Sequence, residues 1–130
     1  MIIGIGTDII EIHRIEQAVT RNERFLSKIF TEKELAYFDS KNSAYTSIAG
    51  NFAAKEAITK VLGTGLRGFR WTDMEISRDD LGKPSVTLYG EAKKLADSLD
   101  ITEIMVSISH CTTYAVAYCV GVSQHHKGDA

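Results

Sequence analysis

Apolar and polar residues change period several times along this chain, and each change marks an element. In MIIGIGTDII, Ile3, Ile5 and Thr7 alternate with Ile2, Gly4 and Gly6. That predicts a strand over Met1–Ile10 whose glycines let something pack close to its backbone. Asp8 falls at the end of this strand, and Asp8 with Glu11 makes a D-x-x-E pattern that also reads as a capping box for the next helix. Over Glu11–Val19, Ile12, Ile15 and Val19 recur at helical spacing, leaving His13, Arg14 and Gln17 outward. Thr20–Phe30 reads as a turn and a second helix built on Phe25, Leu26, Ile29 and Phe30. Thr31-Glu-Lys-Glu34 is a second capping-box pattern and starts a helix through about Lys41. A longer helix spans Ala44–Leu62. At about 100° per residue, Ala54, Ala57, Ile58, Val61 and Leu62 share one side, and Phe52, Glu56 and Lys60 form a stripe on the other.

The three glycines of Gly63–Arg70 make it a loop. Trp71–Arg78 and Pro84–Tyr89 alternate as strands around Asp79-Asp-Leu-Gly82-Lys83, which predicts a hairpin. Gly90–Leu99 is an amphipathic helix with Ala92, Leu95, Ala96 and Leu99 inward. Ile104–Ser109 and Tyr114–Val122 are two further strands. The order strand, helices, hairpin, helix, hairpin predicts an α+β fold, a small antiparallel sheet packed with helices. Residues 1–122 make a single domain, and the polar 123–130 is expected to fray, with its His pair incidental.

Composition narrows the partners. With 130 residues and a net charge of −2, a nucleic-acid binder working through bulk charge is disfavoured. Cys111 and Cys119 lack zinc-ligand spacing and form no disulfide framework, which suits a reducing compartment. No apolar run approaches the roughly 20 residues of a membrane span, and no signal peptide is apparent. The expectation is a soluble, cytoplasmic protein with neither nucleic acid nor membrane as partner.

Four features are left once structural uses are subtracted: Asp8, the Glu56/Lys60 face, the Gly63-Thr64-Gly65 loop, and Ser107-Ile-Ser-His110. Glu56 and Lys60 alone also read as an ordinary i,i+4 surface pair. Two carboxylates without His or Cys companions suit a hard cation such as Mg²⁺, which commonly completes its shell with water and substrate phosphates. A lysine one turn away, glycine amides and a histidine would hold phosphate oxygens. The residues thus suggest a Mg²⁺-dependent enzyme acting on a phosphorylated or diphosphate substrate. Arg14, Arg21, Arg24 and Lys28, grouped around Phe25, suggest a landing site for an acidic protein. Two alternatives stay open at this point: an enzyme cleaving another nucleotide diphosphate, and a non-catalytic module that docks an acidic partner.

The combination G-I-G-T-D8-I-I-E-I-x-R14, F52-A-A-K-E56-A-x-x-K60 followed by L-G-T-G, G82-K-P84 and S107-I-S-H110 resembles the holo-[acyl-carrier-protein] synthases, the small bacterial type of 4′-phosphopantetheinyl transferase. The likeness covers nearly the whole chain. It implies transfer of the 4′-phosphopantetheine arm of coenzyme A to a serine of apo acyl carrier protein, leaving adenosine 3′,5′-bisphosphate, in the service of fatty acid or polyketide synthesis. It also implies roles for residues: Asp8 and Glu56 as Mg²⁺ ligands, Glu56 as base directly or through water, and Lys60 on the phosphate under attack. Gly63, Thr64, Gly65, Lys83, Pro84 and His110 would shape the nucleotide pocket, and Arg14, Arg21, Arg24 and Phe25 would receive the carrier protein. A homotrimer with sites between subunits is implied as well. Where the family commonly has arginine before the F-A-A-K-E run, this chain has Asn51. A phosphate-facing or inter-subunit contact is then missing or supplied by Arg67 or Arg70.

Overall fold

A computed structural model describes residues 1–42 and 44–125. The element order is β1 (Ile2–Glu11), α1 (Ile12–Arg21), α2 (Phe25–Ile29), α3 (Glu32–Asp39), α4 (Ala44–Leu62), a single 3₁₀ turn (Trp71–Asp73), β2 (Met74–Arg78), β3 (Pro84–Leu88), α5 (Gly90–Ser98), β4 (Glu103–His110) and β5 (Tyr114–Val122). The fold is α+β, as the element pattern predicts. Its strands divide between two antiparallel sheets, β1-β5-β4 and the β2-β3 hairpin.

Helix α4 is the centre of the molecule. One side lies on the three-stranded sheet, where Ala54, Ala57, Ile58, Val61 and Leu62 join Ala117 and Cys119 in a common core. The glycines of β1 make this possible. A Cβ on Gly6 would collide with the carbonyl oxygen of Ala57, and one on Gly4 would come within 2.9 Å of the Val61 carbonyl oxygen. The strand backbone therefore touches the helix backbone. The opposite side of α4 is buried too, under α1–α3: Ile48 and Ala49 pack with Ile15, Ile29, Phe30 and Phe38. Lys55, Asn51 and Thr59 are buried as well, so from Ile48 to Leu62 the open stripe is Phe52, Glu56 and Lys60.

The Thr31 capping box forms as expected: the Glu34 amide donates to Thr31 Oγ1 at 3.3 Å, and the Thr31 amide donates to Glu34 Oε1 at 2.9 Å. The D-x-x-E box at Asp8 does not form. Strand β1 runs on to Glu11, paired with β5 throughout, and Glu11 precedes α1 without any side-chain cap. Asp8 is thus an interior strand residue, held in register with Ala117. Sustained ladder bonds outweigh one local cap here. Trp71–Asp73 forms a helical turn before the hairpin rather than part of a strand. Leu99, expected inward, is exposed because α5 stops one residue before it. The segment expected to fray starts anchored: Ser123 is buried and donates to Asp100 Oδ2 at 2.9 Å, and His125 Nδ1 meets Asp100 Oδ1 at 2.7 Å. Residues 126–130, including His126, lie outside the described residues.

Candidate active site

Asp8 of β1 meets Glu56 and Lys60, one turn apart on α4, where the strand lies against the helix. Alternation along β1 turns Asp8 towards the helix, and the close approach at Gly6 brings the Lys60 turn alongside; Lys60 Cβ is 3.1 Å from where a Gly6 Cβ would stand. Lys60 Nζ donates to the Thr7 carbonyl at 2.7 Å and lies 3.8 Å from Asp8 Oδ1. Glu56, one turn before Lys60, is half-buried and lines the same cleft as Asp8.

The electrostatics show that the carboxylates share one environment. Burial raises the Asp8 carboxyl above its ordinary range, against the opposing pull of Lys60. Burial likewise raises Glu56, and the negative charge of Asp8 adds to it, again with Lys60 opposing. Two half-buried carboxylates, with the charge of Asp8 raising the cost of ionising Glu56 and Lys60 offsetting both, form a site that favours added positive charge. A hard dication fits this donor set, which is all oxygen and has no imidazole or thiolate. An ion such as Mg²⁺ would take one or two carboxylates here and complete its shell from water and substrate phosphates.

The cleft measures about 350 Å³ and is also lined by Arg14, Phe52, Glu11 and Tyr114. Glu11 and Tyr114 are paired across β1 and β5. The sequence reading missed both as site residues, and only strand register reveals them. Arg14 opens onto the cleft directly. Arg21 and Arg24 are exposed beyond it, and Phe25 packs on Phe52 with ring centroids 6.1 Å apart. Trp71 also stacks on Phe52, with ring centroids 5.5 Å apart. The basic, aromatic face predicted from sequence therefore borders the carboxylate cleft.

The other expected residues lie elsewhere on the chain. Gly63 and Gly65 are exposed, with φ of 79° and 62°, a conformation that glycine tolerates at least cost, and they follow the end of α4. Lys83 and Pro84 line a separate cleft of about 370 Å³ with Asp79, Ser85 and the start of β4. His110 ends β4, at the opposite end of the strand from that cleft. Lys83 and Pro84 thus share no cleft with Asp8 and Glu56 within one chain. Asn51 is 2% exposed and donates through Nδ2 to the Ser47 carbonyl at 2.8 Å, so its position faces the interior rather than a phosphate. Arg67 and Arg70 are exposed, and Arg70 reaches Asp73 at 3.8 Å. No helix among the described residues is long and apolar enough to cross a membrane.

Comparison with known proteins bears on what this site does. A family model described as the 4′-phosphopantetheinyl transferase superfamily matches residues 4–119. A holo-[acyl-carrier-protein] synthase of Alkaliphilus oremlandii is 52% identical over 122 residues, covering 94% of this chain and 100% of that one. The crystal structure of a holo-ACP synthase from Plasmodium yoelii superposes with a TM-score of 0.84 at 38% identity, covering 96% of this chain and 98% of that one. The holo-[acyl-carrier-protein] synthase of Helicobacter pylori, solved in complex with coenzyme A, gives 0.80 at 35% identity, covering 91% and 99%.

Proposed function

This chain belongs to the 4′-phosphopantetheinyl transferase superfamily, and from that membership we propose that it moves the 4′-phosphopantetheine group of coenzyme A to a serine of apo acyl carrier protein with Mg²⁺, releasing adenosine 3′,5′-bisphosphate. Its likeness to synthases bearing that name, one of them holding coenzyme A, supports the substrates. The observation that carries the mechanism is the meeting of Asp8, Glu56 and Lys60 in one cleft-side cluster.

Asp8 and Glu56 would hold the cation, which would supply Lewis-acid polarisation of the diphosphate and so ease attack at phosphorus. The serine Oγ forms a new bond to the phosphorus that carries pantetheine. The bond from that phosphorus to the bridging oxygen breaks, and the bridging electron pair leaves with the adenosine bisphosphate. The serine proton passes to Glu56, directly or through a water, from its place beside Asp8 in the cleft. Lys60, anchored on the Thr7 carbonyl, offsets the charge that gathers on the reacting phosphate. Arg14, Arg21, Arg24 and Phe25 receive the acidic carrier protein beside the cleft.

We further propose a homotrimer whose sites lie between subunits. Support comes from two sides. Lys83 and Pro84 line a different cleft from Asp8 within a chain, and a neighbour's copies would complete a nucleotide site with Gly63, Thr64, Gly65 and His110. Among the described residues, the outer face of the three-stranded sheet is largely apolar and uncovered, with Ile5 70% and Tyr118 60% exposed.

Intact-mass analysis of apo carrier protein tests the chemistry. After incubation with this protein, coenzyme A and Mg²⁺, the carrier should gain one phosphopantetheine, and chelation of the metal should stop the gain. Asp8→Asn and Glu56→Gln should each slow transfer by about 10²–10³ with the circular dichroism spectrum unchanged. Transfer that persists in chelator, or a near-normal rate in either variant, would overturn the assignment.

A further inference from the structure

Lys55 neighbours Glu56 in sequence and has no part in the chemistry above, yet its side chain is 0% exposed. Every proton of its ammonium has an acceptor: Glu34 Oε1 at 2.7 Å, the Ile29 carbonyl at 2.8 Å and the Trp71 carbonyl at 3.2 Å. Glu34 is just as fully engaged. Its Oε1 also accepts the Thr31 amide, and its Oε2 accepts the Ile76 amide at 3.0 Å. One ion pair therefore ties α4 to the last residue of α2, the start of α3, the 3₁₀ turn and β2.

A buried charge pair is a poor device for stability alone, because apolar side chains of similar volume often hold a core as well. What it supplies is direction. An ammonium with three acceptors fixes the carbonyls of Ile29 and Trp71 relative to α4 within hydrogen-bond tolerance. Those carbonyls belong to the elements that form the basic, aromatic face. Ile29 ends the helix that begins at Phe25, directly after Arg24, and Trp71 and Phe25 both pack on Phe52, one turn before Glu56. The carboxylate cluster is held differently, by the contact of α4 with β1 at Gly4 and Gly6, in which Lys55 has no part.

We propose that Lys55, paired with Glu34, is a positioning residue for carrier-protein docking: it sets the placement of the Arg24–Phe25 face relative to Glu56, so that a partner seated on that face delivers its serine to the reacting phosphorus. The proposal rests on the transferase reading. Removing the pair should therefore weaken use of the carrier protein and spare use of coenzyme A.

Lys55→Met alone leaves the Glu34 carboxylate buried without a cation and is expected to melt at a lower temperature. The charge-neutral double variant Lys55→Met/Glu34→Gln keeps the volume and removes both charges. Steady-state kinetics with each substrate varied in turn should give the double variant a KM for carrier protein roughly tenfold or more above wild type, with the KM for coenzyme A within about twofold. A folded double variant with unchanged carrier KM overturns the proposal, and so does one in which both KM values rise together, which would mark a general loosening. A wild-type chain that leaves the carrier unmodified overturns the transferase reading and this proposal with it. An active wild type with either of the first two results overturns this proposal alone.

Discussion

At the scale of single residues, the site depends on side chains that are missing as much as on those present. Gly6 has no Cβ, so the Ala57 carbonyl rests on the β1 backbone and Lys60 lies within reach of Thr7 and Asp8. Gly6→Ala would put a methyl group into a backbone oxygen, which cannot swing aside as a side chain can. The expected cost is about 3 kcal/mol, the upper end for overpacking, read as a lower urea midpoint, with transfer activity falling as Asp8 and Lys60 separate. An unchanged midpoint would mean that strand and helix can part freely and that the contact does not organise the site. The need for small residues in β1 is legible in the sequence, as are Asp8, Glu56 and Lys60. Lys55 is not. In a period count it is one more charged residue beside Glu56, and only the acceptors Glu34, Ile29 and Trp71 brought by other elements explain why it can be buried.

At the scale of elements, α4 explains most of what sequence reasoning gained and lost. Its sheet-facing side is a run of alanines and branched residues, and simple periodicity finds it. Its second buried side carries Asn51, Lys55 and Thr59, polar residues that look solvent-facing until hydrogen-bond partners are known. Strand β1 errs the other way: Asp8 and Glu11 read as a local cap, but pairing with β5 continues through both, a long-range preference that no local window contains. Where local and long-range signals agree, as at Thr31, the forecast holds. Thr31→Ala should cost about 1 kcal/mol by removing the N-cap acceptor of α3, measured by chemical denaturation. Glu34 would keep both Lys55 and the Ile76 amide, so the loss should be limited to that cap. A cost several times larger would show that the cap also orients Glu34 towards Lys55.

At the scale of the whole molecule, the three-stranded sheet has a helix on one face and, among the described residues, no element on the other. Across that open face Ile5, Val120 and Met105 form one row, Thr7, Tyr118 and Ser107 the next, and Ile9, Val116 and Ser109 a third. Ile5, Ile9, Met105 and Tyr118 are all exposed. Contiguous apolar surface of this kind on a folded chain marks an interaction site. The alternation that exposes these residues is legible in the sequence; that nothing covers them is not, because alternation says which face a residue takes but not which element lies over it. The proposed trimer gives the face an occupant and also brings Lys83 and Pro84 of one copy towards the carboxylates of another. Sedimentation equilibrium should then report three times the 14.4 kDa chain mass. The double variant Ile5→Glu/Tyr118→Glu places like charges in adjacent rows of the interface, on strands that tolerate them when solvated. It should sediment as a monomer with its circular dichroism retained, and it should lose phosphopantetheine transfer although Asp8, Glu56 and Lys60 are untouched. A wild-type monomer would remove the trimer. A monomeric variant that still modifies carrier protein would show that one chain holds a complete site, and that Lys83, Pro84 and His110 serve coenzyme A, if at all, from where they stand in that chain.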